Sequence, residues 1–258
     1  MENVRILWSG LRGRTGLEAQ VAARQMDDVQ IVAGVTRELT GAMDFDLRTS
    51  ERVQWYTYDE VKGDFFAKYR RDFDVIVDFS HTEQFDAILR FAMRTHVPLI
   101  SGTSGLSEQQ LVCLNNAAKR IPVFRGGNFR FKVKKFIDEA IGFAHWHGDL
   151  VLQERFYEGK RLPSETGKVL MQKILANTGN AVRISSSTPY RKDSLICEWE
   201  LWGNDALSSQ KISCRVEGFD ELAHDVLRIA KVMATKSPGK VYCLDDIWDD
   251  LALDAKTV

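Results

Sequence analysis

One connection in the second half of the sequence carries enough polar side chains to form part of an active site. The segment ERFYEGKRLPSETG runs from Glu154 to Gly167, after a run typical of a strand and before one typical of a helix. The ammonium of Lys160 can donate a proton or stabilise charge that develops in a reaction. The phenol of Tyr157 is the second candidate, although its ordinary pKa of about 10 makes it a reluctant acid. The alternatives are a solvated loop lysine and an aromatic side chain packed in a strand.

A glycine-rich loop near the N-terminus predicts a site for a dinucleotide. The loop GLRGRTG follows an apolar run and opens an amphipathic one. Glycines let the backbone approach a pyrophosphate, and a helix N-terminus offers N–H groups and a positive dipole end. The spacing G-x-x-G-x-x-G is a variant of the usual fingerprint, and an ordinary glycine-rich turn is the alternative. The predicted cofactor-binding residues are Gly10, Arg12, Gly13, Arg14, Thr15 and Gly16.

The end of the second predicted strand indicates which nicotinamide cofactor binds. An acid at this position would hold the 2′-hydroxyl of the NAD ribose, but the sequence has Thr36 followed by Arg37. A guanidinium pairs with a 2′-phosphate through charge-assisted, bidentate hydrogen bonds, and Arg12 or Arg14 could assist. We therefore predict that Thr36 and Arg37 contact the cofactor and that NADPH is preferred, with NADH possible. A solvated surface position for Arg37 is the alternative.

The first half of the chain alternates predicted strands and helices, and these elements position the glycine-rich loop and Arg37. The runs typical of strands are VRILWSG, VQIVAGV, FDVIVDFS, VPLISGT and IPVFRGG. Val75 to Val77 are apolar without alternation, as in a strand buried on both faces. Ser107 and Gln110 predict a capping box at the start of a helix. The pattern predicts an α/β fold with a doubly wound parallel sheet.

The regular alternation of strands and helices ends near Gly127, where a second, strand-rich region begins. Its predicted helices are KKFIDEAIGFAHW, GKVLMQKILANTG and DELAHDVLRIAKVMATK, and its strands are DLVLQERFYE, SLICEWELWG and QKISCRVEGF. The last two strands are consistent with antiparallel pairing. They are apolar on more than one face, so Trp199, Trp202 and Ile212 need cover, which predicts a homo-oligomer built through this region.

Composition excludes several classes of protein. The 258 residues are 44% hydrophobic and carry a formal net charge of −1, so neither nucleic acid nor an anionic membrane is an expected partner. The four cysteines are scattered without a CxxC pair, which favours reduced thiols in a cytoplasmic protein. His145 and His147 lie on different faces of a helix, so no metal site is expected. Neither a signal peptide nor a membrane span is expected.

Several motifs together resemble those of the dihydrodipicolinate reductase (4-hydroxy-tetrahydrodipicolinate reductase) family. GLRGRTG is similar to its G-x-x-G-R-x-G loop, DFSHTE to its DFT/S-x-P-E turn, SGTSG to its G-T-T/S-G loop, and GKVYCLDDIW to its closing segment. The motifs follow the family's order over nearly the whole chain. The resemblance implies a Rossmann-like cofactor domain of residues 1–127 and 237–258. It also implies an α+β domain of residues 128–236 that binds substrate and assembles a homotetramer.

The resemblance further implies an activity and a set of site residues. The reaction is hydride transfer from NADPH or NADH to a cyclic imine-type dicarboxylate, a small anionic substrate of lysine and diaminopimelate synthesis. Glu154 and Lys160 keep the spacing of the family's E-x-H-H-x-x-K-x-D-A-P-S-G-T. The implied substrate-binding residues, after one deletion, are Ser164, Glu165 and Thr166. The implied additional cofactor-binding residues are Phe79, Ser80, Gly102, Thr103, Ser104, Asn128 and Phe129.

The departures from the family pattern fall in the substrate half. Phe156 and Tyr157 replace the two histidines, and Glu165 replaces a glycine. A carboxylate at Glu165 would repel a dicarboxylate within reach, unless Lys132 or Lys134 neutralises it or the loop is arranged differently. Two alternatives therefore stay open: a reductase of the same scaffold acting on another imine or oxo compound, and a non-catalytic dinucleotide-binding regulatory protein.

Overall fold

The first of two compact units is built on a seven-stranded parallel sheet. The computed structural model describes residues 3–38, 53–63, 72–126, 128–205 and 208–254. The strands of this sheet are β1 Val4–Ser9, β2 Val29–Thr36, β3 Gln54–Thr57, β4 Val75–Asp78, β5 Leu99–Ser101, β6 Val123–Arg125 and β11 Val241–Tyr242. Their order is β11-β6-β5-β4-β1-β2-β3, and every pair is parallel. The strand order reverses beside β1, and doubly wound sheets bind ligands at this point, outside the carboxyl ends of the strands.

Helices pack on this sheet and complete its core. They are α1 Arg14–Ala23, α2 Tyr58–Lys62, α3 Thr82–Thr95, α4 Glu108–Ala117, α7 Asp220–Met233 and α8 Leu244–Asp254. Strand β4 is buried along its whole length, as its uninterrupted apolar run predicts. The capping box of Ser107 and Gln110 is present at the start of α4. The predicted α/β class and the Rossmann-like sheet are confirmed.

The division between the two units differs from the prediction by one residue at the first boundary and by a whole helix at the second. The first unit comprises Met1–Gly126 and Phe219–Val258, and the second comprises Gly127–Gly218. Helix α7 belongs to the first unit because it packs against α1, β1 and β4. The second boundary therefore falls at 218/219, whereas the sequence analysis placed it at 236/237 and assigned α7 to the substrate domain.

The second unit is a four-stranded mixed sheet with two helices. Its elements are α5 Phe131–Ala144, β7 Asp149–Tyr157, α6 Glu165–Thr178, β8 Val182–Tyr190, β9 Cys197–Asn204 and β10 Ser209–Val216. The order is β10-β9-β7-β8, with β7 and β8 parallel and the other pairs antiparallel. The predicted antiparallel pairing of β9 with β10 is confirmed. Strand β8 was not predicted.

One face of the second sheet is covered by the unit's own helices. Trp199 and Ile212 pack on this face in a core with residues of α5 and α6, so both side chains have cover without a second subunit. Trp202 lies on the other face, half-buried. That face is largely polar, and Arg155 pairs there with Glu198 at 3.1 Å. The apolar surface from which oligomerisation was predicted is therefore smaller than the sequence suggested.

Three further observations concern membrane spans, metal sites and cysteines. In the part of the chain that the structure describes, no helix has the length and apolar character needed to cross a membrane. The same residues contain no group of three or more His, Cys, Asp or Glu placed to hold a metal ion. The four cysteines are free thiols.

Candidate functional site

The glycine-rich loop joins β1 to α1 and depends on its first glycine. Gly10 has a φ of +81°, and a Cβ at this position would lie 2.5 Å from the carbonyl oxygen of Phe79. Gly13 is the N-cap of α1, and no described side chain caps this helix end. Arg14, Thr15 and Gly16 form the first turn of α1. The loop therefore presents backbone N–H groups at a helix N-terminus, the arrangement that binds a phosphate.

Two arginines of this loop are held against aromatic rings. The guanidinium carbon of Arg12 lies 4.7 Å from the ring centroid of Trp55, and that of Arg14 lies 4.9 Å from the ring centroid of Phe219. Such contacts stabilise a cation and restrict its side chain. Burial lowers the pKa of the Arg12 guanidinium. Trp55, on β3, was not among the predicted site residues.

The end of β2 places an exposed cation at the carboxyl edge of the sheet. Thr36 is the last residue of β2, and Arg37 follows it. The guanidinium of Arg37 lies 3.8 Å from the carboxylate of Glu83, and both side chains are exposed. An exposed ion pair of this length contributes little to stability, so it costs little to exchange its partner for a ligand anion.

The loops after β4 and β5 approach each other closely. A Cβ on Gly102 would lie 2.4 Å from Cζ of Phe79, so only glycine fits beside this ring. The Phe79 ring in turn stacks on Trp8, with 5.6 Å between the ring centroids. Ser80 is half-buried and Ser104 is exposed. The predicted contacts from these two loops therefore lie on one surface, at the carboxyl ends of adjacent strands.

A buried carboxylate connects these loops. Asp78, the last residue of β4, is fully buried. Its carboxylate accepts hydrogen bonds from the Ser80 hydroxyl at 2.6 Å and from the Thr103 hydroxyl at 2.8 Å. Burial raises the pKa of the Asp78 carboxyl, against the lowering effect of these hydrogen bonds. Asp78 opens the DFSHTE motif, but no role was predicted for it.

A second buried carboxylate organises the opening of α6 in the second unit. Glu154 on β7 is 1% exposed. It accepts hydrogen bonds from both the backbone N–H and the hydroxyl of Ser164, from the Ser186 hydroxyl at 2.8 Å and from Trp199 Nε1 at 3.2 Å. Ser164 is also the N-cap of α6, because its hydroxyl accepts from the N–H of Gly167 at 2.9 Å. Glu154 thus fixes the turn at which α6 begins.

The two catalytic candidates lie on different faces of the second sheet. Phe156 is fully buried on the face that carries Glu154, and Lys160 Nζ lies 5.8 Å from its ring centroid. Side chains alternate along β7, so Tyr157 projects from the opposite face. The structure therefore brings Lys160, but not Tyr157, to the face that holds Ser164.

The position of Glu165 removes one difficulty raised by the sequence. Its carboxylate is exposed and pairs with Lys168 at 2.8 Å, one turn along α6. Lys132 is exposed, whereas Lys134 pairs with Asp138 of its own helix. Lys168, which the sequence did not suggest for this role, therefore neutralises Glu165.

The predicted residues Asn128 and Thr166 are joined directly. Asn128 Nδ2 donates to the Thr166 hydroxyl at 3.1 Å, and the N–H of Arg130 donates to Asn128 Oδ1 at 2.9 Å. The side chain of Phe129, the residue between Asn128 and Arg130, is buried. Asn128 and Phe129 belong to the second unit, whereas the glycine-rich loop belongs to the first.

A thiol reports the charge at this end of the second unit. Burial raises the pKa of the Cys197 thiol, while the positive charges of Lys160 and Arg130 act to lower it. Cys197 is the register partner of Phe156 across β7 and β9. The negative charge of Glu154 acts in the opposite direction and raises the pKa of this thiol, so the thiol lies among charges of both signs.

Comparison with known proteins assigns the chain to a family. The family described as dihydrodipicolinate reductase, N-terminus, matches residues 4–129. A 4-hydroxy-tetrahydrodipicolinate reductase of Stenotrophomonas maltophilia is 31% identical over 173 residues, which are 65% of this chain and 67% of that protein. The chain belongs to the dihydrodipicolinate reductase family. Its relatives in that family are oxidoreductases.

Further relatives agree with membership of the dihydrodipicolinate reductase family. The enzyme of the same name from Thermomicrobium roseum is 29% identical over 190 residues, covering 67% of this chain and 66% of that protein. The chain thus spans about two thirds of the length of these two curated relatives. The solved structure of dipicolinate-bound dihydrodipicolinate reductase from Paenisporosarcina sp. TG-14 has a TM-score of 0.64 and 15% identity, and covers 95% of this chain and 99% of that one. It shows a shared fold.

The first unit has the features that a nicotinamide dinucleotide needs in this family. A Rossmann-like sheet supports binding of NAD(P)H in general. Gly10 and Gly102 leave no room for a side chain beside Phe79. Arg12 and Arg37 lie on the β2–β3 side of β1. The described residues therefore fit such a cofactor.

Proposed function

We propose that this protein is an NADPH-dependent reductase that transfers a hydride to a cyclic imine-type dicarboxylate. The proposed substrate is 4-hydroxy-tetrahydrodipicolinate, in the cytoplasmic synthesis of lysine and diaminopimelate. The observation that carries the proposal is the turn anchored by Glu154, which holds Ser164 and Thr166 at the start of α6 on the face that also carries Lys160. Family membership supports the reaction class.

The residues of the second unit have separable roles in this proposal. The first turn of α6 offers backbone N–H groups to a substrate carboxylate, with Thr166 oriented by Asn128. The ammonium of Lys160 holds the proton that the imine nitrogen receives, and its charge stabilises the transition state. NADPH, when bound, supplies the hydride. Glu165 does not oppose this binding strongly, because its carboxylate is paired with Lys168 in solvent.

Oxidation of NADPH tests the proposal. The substrate is first generated enzymatically as 4-hydroxy-tetrahydrodipicolinate, and the loss of NADPH absorbance is then followed with that compound and with a panel of cyclic imines. Turnover of 4-hydroxy-tetrahydrodipicolinate supports the proposed function. Turnover of another imine alone favours a reductase with a different substrate. NADPH binding without turnover of any of them favours a regulatory protein.

One observation favours the alternative substrate specifically. The position of the family's first histidine holds Phe156, which is fully buried and packs edge-on against Trp199 with 5.3 Å between ring centroids. An imidazole that could share a proton with the substrate is thus replaced by an apolar ring. A less polar imine would suffer less from this change than a dicarboxylate.

The preference for NADPH should depend on Arg37. In Arg37→Ala we expect the Kd for NADPH to rise about 10- to 100-fold, the scale of a lost charge-assisted pair, with the Kd for NADH nearly unchanged. Fluorescence titration with each cofactor measures both constants. Arg24→Ala, an exposed arginine after α1, is the matched control and should leave both constants alone. Equal affinities for the two cofactors in the unmodified protein would contradict the assignment.

We also propose that the protein is a homotetramer assembled through the second unit. The polar face of its sheet, with the pair between Arg155 and Glu198, is the surface that remains after α5 and α6 cover the other face. Light scattering at micromolar concentration should give the mass of four chains. A monomer under these conditions would rule the assembly out, and strong salt dependence would support a charged interface.

A further inference from the structure

The first unit contains a polar cluster at the carboxyl ends of its central strands, and the buried carboxylate at its centre has no role in the proposed function. We call it the loop-anchoring cluster, and it consists of Ser9, Tyr58, Asp78, Ser80, Thr103 and Arg125. These residues follow or end β1, β3, β4, β5 and β6. Burying the Asp78 carboxylate this deeply has an unfavourable desolvation free energy. Hydrogen bonds to the carboxylate offset this free energy.

Asp78 ties together the loops after β4 and β5. Its side chain accepts from the hydroxyl and the N–H of Ser80, at 2.6 and 3.3 Å, and from the Thr103 hydroxyl at 2.8 Å. Its backbone carbonyl accepts from the N–H of Gly102 at 2.8 Å. One residue therefore fixes both the turn that carries Phe79 and the turn that carries Gly102.

Thr103 is held from both ends. Its hydroxyl donates to Asp78, and its carbonyl oxygen accepts from Arg125 Nη1 at 3.1 Å. Burial lowers the pKa of the Arg125 guanidinium, and the charge of Asp78 opposes that effect. The positive charge of Arg125 thus partly balances the negative charge of the buried Asp78 carboxylate, and both residues hydrogen-bond to Thr103.

The cluster extends to β1 through two hydroxyl groups. The Ser9 hydroxyl and the Tyr58 hydroxyl are 3.0 Å apart, and both are buried. Ser9 is also the register partner of Asp78 across β1 and β4. Ser9 directly precedes Gly10, so the start of the glycine-rich loop adjoins the residue that carries the carboxylate.

The location of these loops indicates which half of a dinucleotide they serve. In a doubly wound sheet the dinucleotide lies across the point where strand order reverses, with one half on each side. Arg37 and Trp55 lie on the β2–β3 side of β1, whereas Asp78 and Thr103 lie on the β4–β5 side. The cation suited to a 2′-phosphate is on the first side, which leaves the β4–β5 side for the nicotinamide half.

We propose that Asp78 is a positioning residue that holds the Ser80 and Gly102–Thr103 turns in the conformation that binds the nicotinamide half of the cofactor. The inference rests on the proposed binding of NADPH. Asp78 is fully buried, so its carboxylate acts through Ser80 and Thr103, whose hydroxyl groups donate to it.

Two ligands separate this role from general support of the fold. NADPH carries both halves of the dinucleotide, whereas 2′-phospho-ADP-ribose lacks the nicotinamide. In Asp78→Asn we expect the Kd for NADPH to rise about 10- to 100-fold, the scale of charged hydrogen bonds lost or weakened. The Kd for 2′-phospho-ADP-ribose, measured by calorimetry, should change by less than about twofold. Asp74→Asn, the same exchange at a half-exposed ion pair with Arg5, is the control and should change neither constant.

A double-mutant cycle tests the path through Thr103. Thr103→Val removes the hydroxyl that Asp78 accepts from and keeps the side-chain shape. If Asp78 acts through Thr103, the double variant should bind NADPH about as weakly as the worse single variant, because the two changes remove one interaction. Should Asp78→Asn fail to fold, Thr103→Val and Ser80→Ala carry the test with the same pair of ligands.

Three results would overturn the proposal. Unchanged NADPH affinity in the folded Asp78→Asn protein would show that the loops are positioned without the carboxylate. Equal losses for NADPH and 2′-phospho-ADP-ribose would mean that Asp78 supports the whole unit. If the losses of NADPH binding free energy in Asp78→Asn and Thr103→Val simply add in the double variant, Asp78 does not act through Thr103. If the unmodified protein binds neither NADPH nor NADH, the proposed function itself fails, which is a distinguishable outcome.

Discussion

Lys160→Ala should lower kcat by about 10²–10⁴-fold on whichever imine the protein reduces, the usual scale for a group that transfers a proton and stabilises charge. The ammonium lies over the Phe156 ring, on the face of β7 that carries the Glu154-anchored start of α6. The affinity for NADPH should barely change, because Lys160 belongs to the second unit and the glycine-rich loop to the first. Steady-state kinetics and a separate cofactor titration measure the two quantities.

Two further variants sharpen this expectation. Tyr157→Phe should cost much less, since that phenol projects from the opposite face of β7. Lys192→Ala, an exposed lysine elsewhere in the second unit, should leave kcat unchanged. If Lys160→Ala turns over at the normal rate, the proton comes from Tyr157 or water, and the loop only binds substrate. A matching loss in Lys192→Ala would point to a general charge effect instead.

Gly10→Ala should abolish measurable NADPH binding and lower the free energy of unfolding by about 2–5 kcal/mol, the sum of backbone strain and overpacking. Gly10 has a φ of +81°, and its Cβ would lie 2.5 Å from the Phe79 carbonyl oxygen. Backbone atoms of two loops would have to move apart. Urea unfolding and a fluorescence titration with NADPH measure the two effects.

Gly105→Ala is the matched control for this steric argument. Gly105 has a similar φ of +76°, but the nearest described atom to its Cβ would be Thr82 Cγ2 at 3.9 Å. This variant should therefore lose only the strain of a left-handed backbone, about 1–2 kcal/mol. If both variants lose the same free energy of unfolding, the close approach of Gly10 to Phe79 does not contribute to stability. The need for glycine at position 10 would then require another explanation.

Local patterns were enough to predict much of the first unit. The strand, the glycine-rich turn and helix α1 are contiguous, so the residues that form the loop are also the residues that specify it. Burial of β4 and the capping box of α4 follow from neighbouring residues in the same way. Cofactor choice remains a prediction, because Arg37 is exposed beside Glu83 and would have to turn towards a ligand.

Side-chain alternation could have separated the two catalytic candidates without a structure. In a strand, residues two apart share a face, so Glu154 and Phe156 lie together and Tyr157 lies opposite. Tyr157 was kept as a second candidate donor because a phenol can release a proton. The same alternation would have shown that Trp199 and Trp202 face opposite ways and do not form one apolar surface.

The sequence by itself determined the α/β class, the nucleotide-type loop, the antiparallel pair β9–β10 and the family, because each is written in adjacent residues or in the order of short motifs. Only the tertiary structure decided which groups meet. Asp78 and Thr103 are 25 residues apart, and Glu154 and Trp199 are 45 apart, so no local pattern reveals either buried carboxylate. Helix α7 belongs to the first unit because it packs on α1. The polar run of β8 forms a strand because it pairs with β7, and this pairing outweighs the weak strand preference of its own residues.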